Sequence, residues 1–166
     1  MLAEATIEQA AALLVSLRRR GLSLVTAESC TGGLIAAALT AVPGASDVVD
    51  RGHVTYSNAA KTEMLGVSSA LIADKGAVSA EVARAMAVGA LEKSTAAVAV
   101  AVTGIAGPGG GSGAKPIGLV HLAVAMGTRV VHEERRFGDL GRDGIRSATV
   151  AAAFALIERV IDDAAL

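Results

Sequence analysis

The 166-residue sequence has no tryptophan, one tyrosine and two phenylalanines, so aromatics make up 2% of a chain that is 52% hydrophobic. Its core must be assembled from Ala, Val, Leu and Ile, small side chains that pack at short range and suit closely spaced helices and strands. The single cysteine, Cys30, leaves no intramolecular disulfide and no thiolate cluster for a metal. That usage fits a reducing, cytoplasmic compartment. Neither sign of charge is in excess: 15 Lys and Arg meet 16 Asp and Glu, for a net charge of −1. Bulk electrostatics therefore give no reason to expect a nucleic-acid or membrane partner. No apolar run approaches the ~20 residues that span a bilayer. The stretch Met1 to Gln9 carries Glu4 and Glu8 but no basic residue, which does not read as a signal peptide. His53, His121 and His132 are scattered through strand-like segments without metal-ligand spacing, so they read as structural and no metal is expected.

Glycine is abundant, with 19 residues available for turns that need positive φ. Thr6-Ile7-Glu8-Gln9 reads as a capping box opening a helix that Gly21 ends. Ser23 to Ala27 is a short β-type run, followed by an alanine-rich helix from Leu34 to Ala41 and the Pro43-Gly44 turn. Val48 to Tyr56 is extended in character, with an interruption expected near Gly52. Asn58 is placed to cap a short helix through Leu65, and Ser79 a longer one from Ala80 to about Lys93. Ala96 to Val102 has no polar residue, as expected of a strand covered on both faces. Beyond a glycine-rich loop, Thr103 to Gly118, the segments Leu119–Ala125 and Arg129–Arg135 form a hairpin whose Gly127-Thr128 pair suits a type II′ turn. A last helix runs from about Arg142 to Ile161. With no internal repeat, this order predicts one three-layer α/β/α domain over residues 1–166, with a mixed, mostly parallel sheet.

Ser29 lies where the first predicted strand turns into a helix, at the carboxyl end of the sheet where crevices form. Amides around Thr31, Gly32 and Gly33 would point at a ligand there and hold an anion or an oxyanion. The plainer reading makes Ser29 or Thr31 a helix cap. Lys61 would sit in the first turn of the helix that Asn58 caps, where the dipole disfavours a cation and, with burial, lowers its pKa toward that of a general base. Tyr56 is close enough in sequence to hydrogen-bond the nucleophile or the base; alternatively Lys61 is solvated and Tyr56 packs at a core edge. The loop containing Thr103, Gly104, Gly107, Gly109 and Gly110 lets backbone approach a ligand closely, and it matches neither a Walker A loop nor a dinucleotide fingerprint. Arg142 and Arg146, one helical turn apart, suit a phosphate monoester or, equally, surface pairing with Asp139 or Asp143. Glu28 is placed to orient Lys61 or a ribose hydroxyl, or to be merely exposed. Cys30 lacks a neighbouring histidine base, which favours Ser29 as nucleophile.

Four runs together carry a resemblance: Ala27-Glu28-Ser29-Cys30-Thr31-Gly32-Gly33, Val54-Thr55-Tyr56-Ser57-Asn58-Ala59-Ala60-Lys61, Gly76-Ala77-Val78-Ser79, and Thr103-Gly104-Ile105-Ala106-Gly107-Pro108-Gly109-Gly110. In this combination, spread between about Ala5 and Ile161, the chain resembles the C-terminal domain family of the competence/damage-inducible protein CinA. The stand-alone members of that family are nicotinamide-nucleotide amidohydrolases. The resemblance implies an anticodon-binding-domain-like α/β/α fold, assembly into homo-oligomers, no cofactor, and conversion of nicotinamide mononucleotide to nicotinic acid mononucleotide and ammonia. It implies Ser29 as nucleophile, Lys61 as base, Tyr56 beside them, Arg142 assisting and the glycine loop lining a nucleotide pocket. The chain has Gly113-Ala114 where the family usually carries an acidic residue before Lys-Pro. The family's Gly-Asp-Arg run appears as Gly138-Asp139-Leu140-Gly141-Arg142, which leaves Arg146 as the alternative to Arg142. Two other readings stand beside this one: a nucleotide-binding or regulatory module without catalysis, and a hydrolase of another amide-bearing metabolite.

Overall fold

The computed structural model describes residues 2–164. Its elements in chain order are α1 (Glu4–Arg19), β1 (Leu24–Glu28), α2 (Leu34–Thr40), a short 3-10 turn (Ala45–Asp47), β2 (Val49–Val54), α3 (Asn58–Leu65), α4 (Ser69–Lys75), α5 (Ala80–Glu92), β3 (Val98–Gly104), β4 (Leu119–Met126), β5 (Arg129–Arg136) and α6 (Gly141–Asp163). One sheet runs in the order β2-β1-β3-β4-β5. β2, β1 and β3 are parallel, while β4 is antiparallel to both β3 and β5, so β4 alone is reversed. This is the expected α/β/α arrangement with a mixed, mostly parallel sheet.

Alternation along the strands decides what each face can hold. In β3, Val98, Val100 and Val102 join Leu24, Leu122 and Val124 against α1, α2 and α6. Ala99 and Ala101 face the other way, with Ala27, Ala123 and Ala125, under α5 and the α3–α4 pair. Alanines on that face let α5 lie close to the sheet. Gly89 brings α3 closer still: a Cβ there would lie 1.9 Å from the Leu65 carbonyl oxygen. The α3 helix, which carries Lys61, is thereby seated directly on α5.

The boundaries that differ from the sequence reading have local causes. Helix α1 begins at Glu4 and is capped by no side chain at Ala3, so Thr6 is already helical and forms no capping box. Ser57, not Asn58, caps α3, its hydroxyl accepting from the Ala60 amide at 3.0 Å. Strand β2 continues through Gly52; its irregularity lies instead where Leu24 and Val25 pair with Val49 and Arg51. Gly52 is a packing position, because a Cβ would stand 2.9 Å from Thr26 Oγ1 and 3.2 Å from Ala36 Cβ. Helix α4 has no counterpart in the sequence reading. It is a short helix of about two turns capped by Ser68, with Ile72 as its buried anchor. Gly127 has φ +57° and, among the described residues, none other than glycine has positive φ, consistent with the type II′ hairpin turn.

Candidate active site

The ends of β1, β2 and β3 lie side by side, and the chain leaves each of them into a loop. Ser29 follows β1, Thr55 and Tyr56 follow β2, and Thr103 and Gly104 end β3. A pocket of about 280 Å³ opens among them, lined by Ser29, Cys30, Tyr56, Asn58, Lys61, the Ala77-Val78 pair, the loop from Thr103 to Gly110 and Arg142.

Lys61 is the largest fully buried side chain, only 1% exposed, and Ser29 is 9% exposed. Lys61 Nζ stands 3.0 Å from Ser29 Oγ and 2.8 Å from the Thr55 carbonyl oxygen, with the Tyr56 carbonyl farther off at 3.5 Å. Burial pushes the Lys61 amine below its ordinary pKa, partly offset by the neighbouring Cys30. A neutral amine has two N–H groups and one lone pair. Two backbone carbonyls can take the N–H groups, which leaves the lone pair for the Ser29 hydroxyl. Two groups 32 residues apart in sequence thus form a hydrogen-bonded serine–lysine pair inside the pocket.

Glu28 neither orients Lys61 nor meets the pocket. Fully buried, its carboxylate accepts from Thr31 Oγ1 at 2.6 Å and from the amides of Gly33, Ile35 and Ala36 at 3.1, 3.0 and 2.8 Å. It therefore occupies the amino end of α2. Gly32 donates its amide to the Ser29 carbonyl. Thr31, Gly32 and Gly33 consequently do not line the pocket with Ser29, because an internal carboxylate and the turn itself take the groups that a ligand would use. Gly33 at φ +96° supplies the left-handed corner that lets α2 start there. The amides of Cys30 and Thr31 approach the Cys30 sulfur, whose pKa burial pushes up to about 12 despite them.

Tyr56 contributes its carbonyl to Lys61, but its ring is exposed and its hydroxyl accepts from Arg142 Nη2 at 2.8 Å. Arg142 also donates from Nη1 to the Gly107 carbonyl at 2.9 Å. Together Tyr56 and Arg142 bridge the pocket rim from the end of β2 to the glycine loop. Arg146 lies elsewhere: its Nη2 donates to the Thr31 carbonyl at 2.9 Å, and it lines a second cavity. Thr103, Gly104, Gly107, Gly109 and Gly110 all reach the pocket that holds Ser29 and Lys61. Residues the sequence reading left unassigned there are Asn58, released from capping by Ser57, and Ala77 and Val78, whose wall is held by Thr103 Oγ1 donating to the Ala77 carbonyl at 2.8 Å. The glycine-bounded Gly76-Ala77-Val78-Ser79 run was the available signal for the wall.

Among the described residues, no group of three or more His, Cys, Asp or Glu is placed to hold a metal. No described helix is long and apolar enough to cross a membrane.

Residues 6–161 match the family model described as CinA C-terminal domain. A nicotinamide-nucleotide amidohydrolase, PncC, from Pseudomonas putida is 55% identical over 137 residues, covering 82% of this chain and 85% of that protein. A CinA-like protein from Citrifermentans bemidjiense is 53% identical over 150 residues, 90% of this chain but 36% of that protein, so the chain spans about a third of such longer relatives. The crystal structure of the competence/damage inducible protein CihA from Agrobacterium tumefaciens, 51% identical, superposes with a TM-score of 0.93 over 98% of both chains. The chain belongs to the CinA C-terminal domain family.

Proposed function

We propose that the protein is a nicotinamide-nucleotide amidohydrolase that hydrolyses the carboxamide of nicotinamide mononucleotide by serine–lysine catalysis. The observation that carries this reading is the 3.0 Å approach of a buried, pKa-lowered Lys61 amine to Ser29 Oγ in the wall of an open pocket. The relative from Pseudomonas putida, which this chain matches along most of both lengths, supplies the substrate class.

Neutral Lys61 takes the proton of Ser29 as Oγ bonds to the carboxamide carbon. The carbonyl π pair moves onto oxygen, and the amide of Cys30, which lines the pocket beside Ser29, is the donor we assign to that oxyanion. Collapse of the tetrahedral adduct breaks the C–N bond, and the Lys61 proton goes to the departing nitrogen, releasing ammonia. Water, deprotonated by the same amine, then cleaves the acyl-serine ester and gives the free carboxylate. The substrate phosphate is read at the rim, where Arg142 can exchange its Tyr56 and Gly107 partners for phosphate oxygens and the glycine amides lie near.

Ammonia release from nicotinamide mononucleotide tests this. Ser29→Ala and Lys61→Met are each expected to lower kcat at least 1,000-fold, in line with the loss of a nucleophile or its base, while circular dichroism and Tm stay near wild type. Turnover retained within tenfold in both variants refutes the pair. Nucleotide binding without any ammonia from the wild-type protein would leave the binding-module reading instead.

A further inference from the structure

A second cavity, about 310 Å³, lies behind the catalytic turn, between the first turns of α1, the start of α2 and the second turn of α6. Leu2, Ala3, Leu34 and Val150 give it apolar walls, and Thr6, Asp143, Arg146 and Ser147 give it polar ones. Arg146 is underserved there. Arg20, Arg129, Arg136 and Arg159 each hold a carboxylate oxygen within 3.0 Å. Arg146 has only Asp143 at 3.9 Å, whose side chain is 98% exposed and so solvated, while that of Arg146 is 28% exposed. Its Nε is buried without an acceptor, and Nη2 is spent on the Thr31 carbonyl. A mostly buried guanidinium whose Nη1 has no close acceptor, beside an open cavity with two hydroxyls, suits a compact anion.

We propose that this cavity binds a small organic carboxylate, gripped by Arg146 with Thr6 and Ser147 donating to it and its short apolar tail against Leu34 and Val150. The volume equals roughly ten waters at about 30 Å³ each, which sets the size of the ligand. The four apolar side chains favour a carboxylate with a few methylenes over a fully hydrated inorganic phosphate, and the Asp143 carboxylate in the same wall, itself turned out to solvent, disfavours an anion of more than one charge. The second arm of Arg146 holds Thr31, two residues from Ser29, so occupation also draws on the contact that steadies the catalytic turn. The binding claim stands apart from the amidohydrolase reading; only the effect on turnover rests on it.

The test uses Ser29→Ala protein with acetate, propionate, butyrate and inorganic phosphate, at constant ionic strength set with chloride. Butyrate or propionate at about ten times its Kd is expected to raise Tm by ~3 °C or more. Arg146→Gln is expected to abolish the shift, and so is Ala3→Leu, which fills the cavity from an exposed position and keeps the answer readable if Arg146→Gln fails to fold. Arg142→Gln, at the other pocket, is expected to keep it. In wild-type protein the same carboxylate is expected to change kcat with the Arg146 side chain present and not in Arg146→Gln. No Tm shift up to 50-fold excess over a millimolar Kd, or a shift that survives both cavity variants, or one lost only in Arg142→Gln, overturns the proposal. A larger shift with phosphate than with butyrate overturns the choice of carboxylate.

Discussion

Replacing Glu28 tests whether an internal carboxylate, rather than a ligand, holds the turn that carries Ser29. Glu28→Ala removes the acceptor of four hydrogen bonds, from the Thr31 hydroxyl and the Gly33, Ile35 and Ala36 amides. Glu28 is fully buried, so water does not readily replace it. Each bond to a charged acceptor contributes about 1.5–3 kcal/mol, and each buried donor left unpaired costs about 1–3 kcal/mol. Those figures overlap and do not add. Removing the charge also relieves its own desolvation. The net loss worked from these opposing effects is about 3–5 kcal/mol, the range seen when one partner of a buried charged network is deleted. A domain with a stability of about 5–15 kcal/mol survives that, but with a smaller margin. Glu28→Gln keeps the shape and one acceptor oxygen while turning an N–H donor toward backbone donors, and is expected to lose about 1–3 kcal/mol. Urea unfolding followed by circular dichroism gives the free energies, and ammonia release gives the activity. In Glu28→Gln, kcat is expected to fall well beyond the unfolded fraction, because Ser29 rides on the disturbed turn. A Glu28→Ala protein within 1 kcal/mol of wild type refutes the reasoning.

Cys30, at a pKa of about 12, carries thiolate in roughly one molecule in ten thousand at pH 8, against about a quarter for an ordinary cysteine. Iodoacetamide is expected to label the native protein at least 100-fold more slowly than the urea-unfolded chain; equal rates refute the assignment of Cys30 as a spectator. On the far strand pair, His121 Nδ1 and His132 Nε2 are 2.9 Å apart with stacked rings. Burial lowers both pKa values, His132 being further depressed by Arg84 and His121 by His132 and Lys115, against the opposing pull of Glu81 and Glu134 on both and of Glu133 on His132. A histidine lowered on folding makes stability fall as pH drops below its unfolded value of about 6.5. Urea unfolding at pH 7.5 and 5.5 is therefore expected to show a smaller pH-dependent loss in a His121→Leu/His132→Leu protein than in wild type, and identical losses contradict the assignment.

Much of the fold was legible because the strands announce themselves: Val98 to Val102 is apolar throughout with small residues alternating, and Gly127-Thr128 suits a tight hairpin turn. Ser29 and Lys61 were legible for a different reason. One follows a strand, and the other is a lysine in the first half of a helix where the dipole opposes a cation. The cap of α3 was off by one because Ser57 and Asn58 are both competent caps, and only the geometry of the Ser57 hydroxyl decides between them. The role of Glu28 had no local signal. Its donors lie three to eight residues ahead, across a left-handed glycine corner, a spacing outside any capping motif. Arg142 and Arg146 share a helix face, as their spacing requires, yet their long side chains diverge into two cavities.

That divergence decides where an anionic substrate group can sit. Two amino ends of helices lie near the catalytic turn, and in a bare α/β fold either would attract phosphate. At α2 the donors are already saturated by Glu28, whose negative charge faces the same amides and would repel a second anion. At α6 the cations lie on the side chains rather than at the backbone, and only Arg142 opens onto the pocket of Ser29. Recognition of a phosphate in the proposed reaction therefore falls to one arginine and a glycine loop, while the helix end beneath the nucleophile serves to hold it rigid. Within the proposed reaction, the division lets a carboxylate stand one residue before the serine, because its oxygens are engaged by the Thr31 hydroxyl and the first amides of α2.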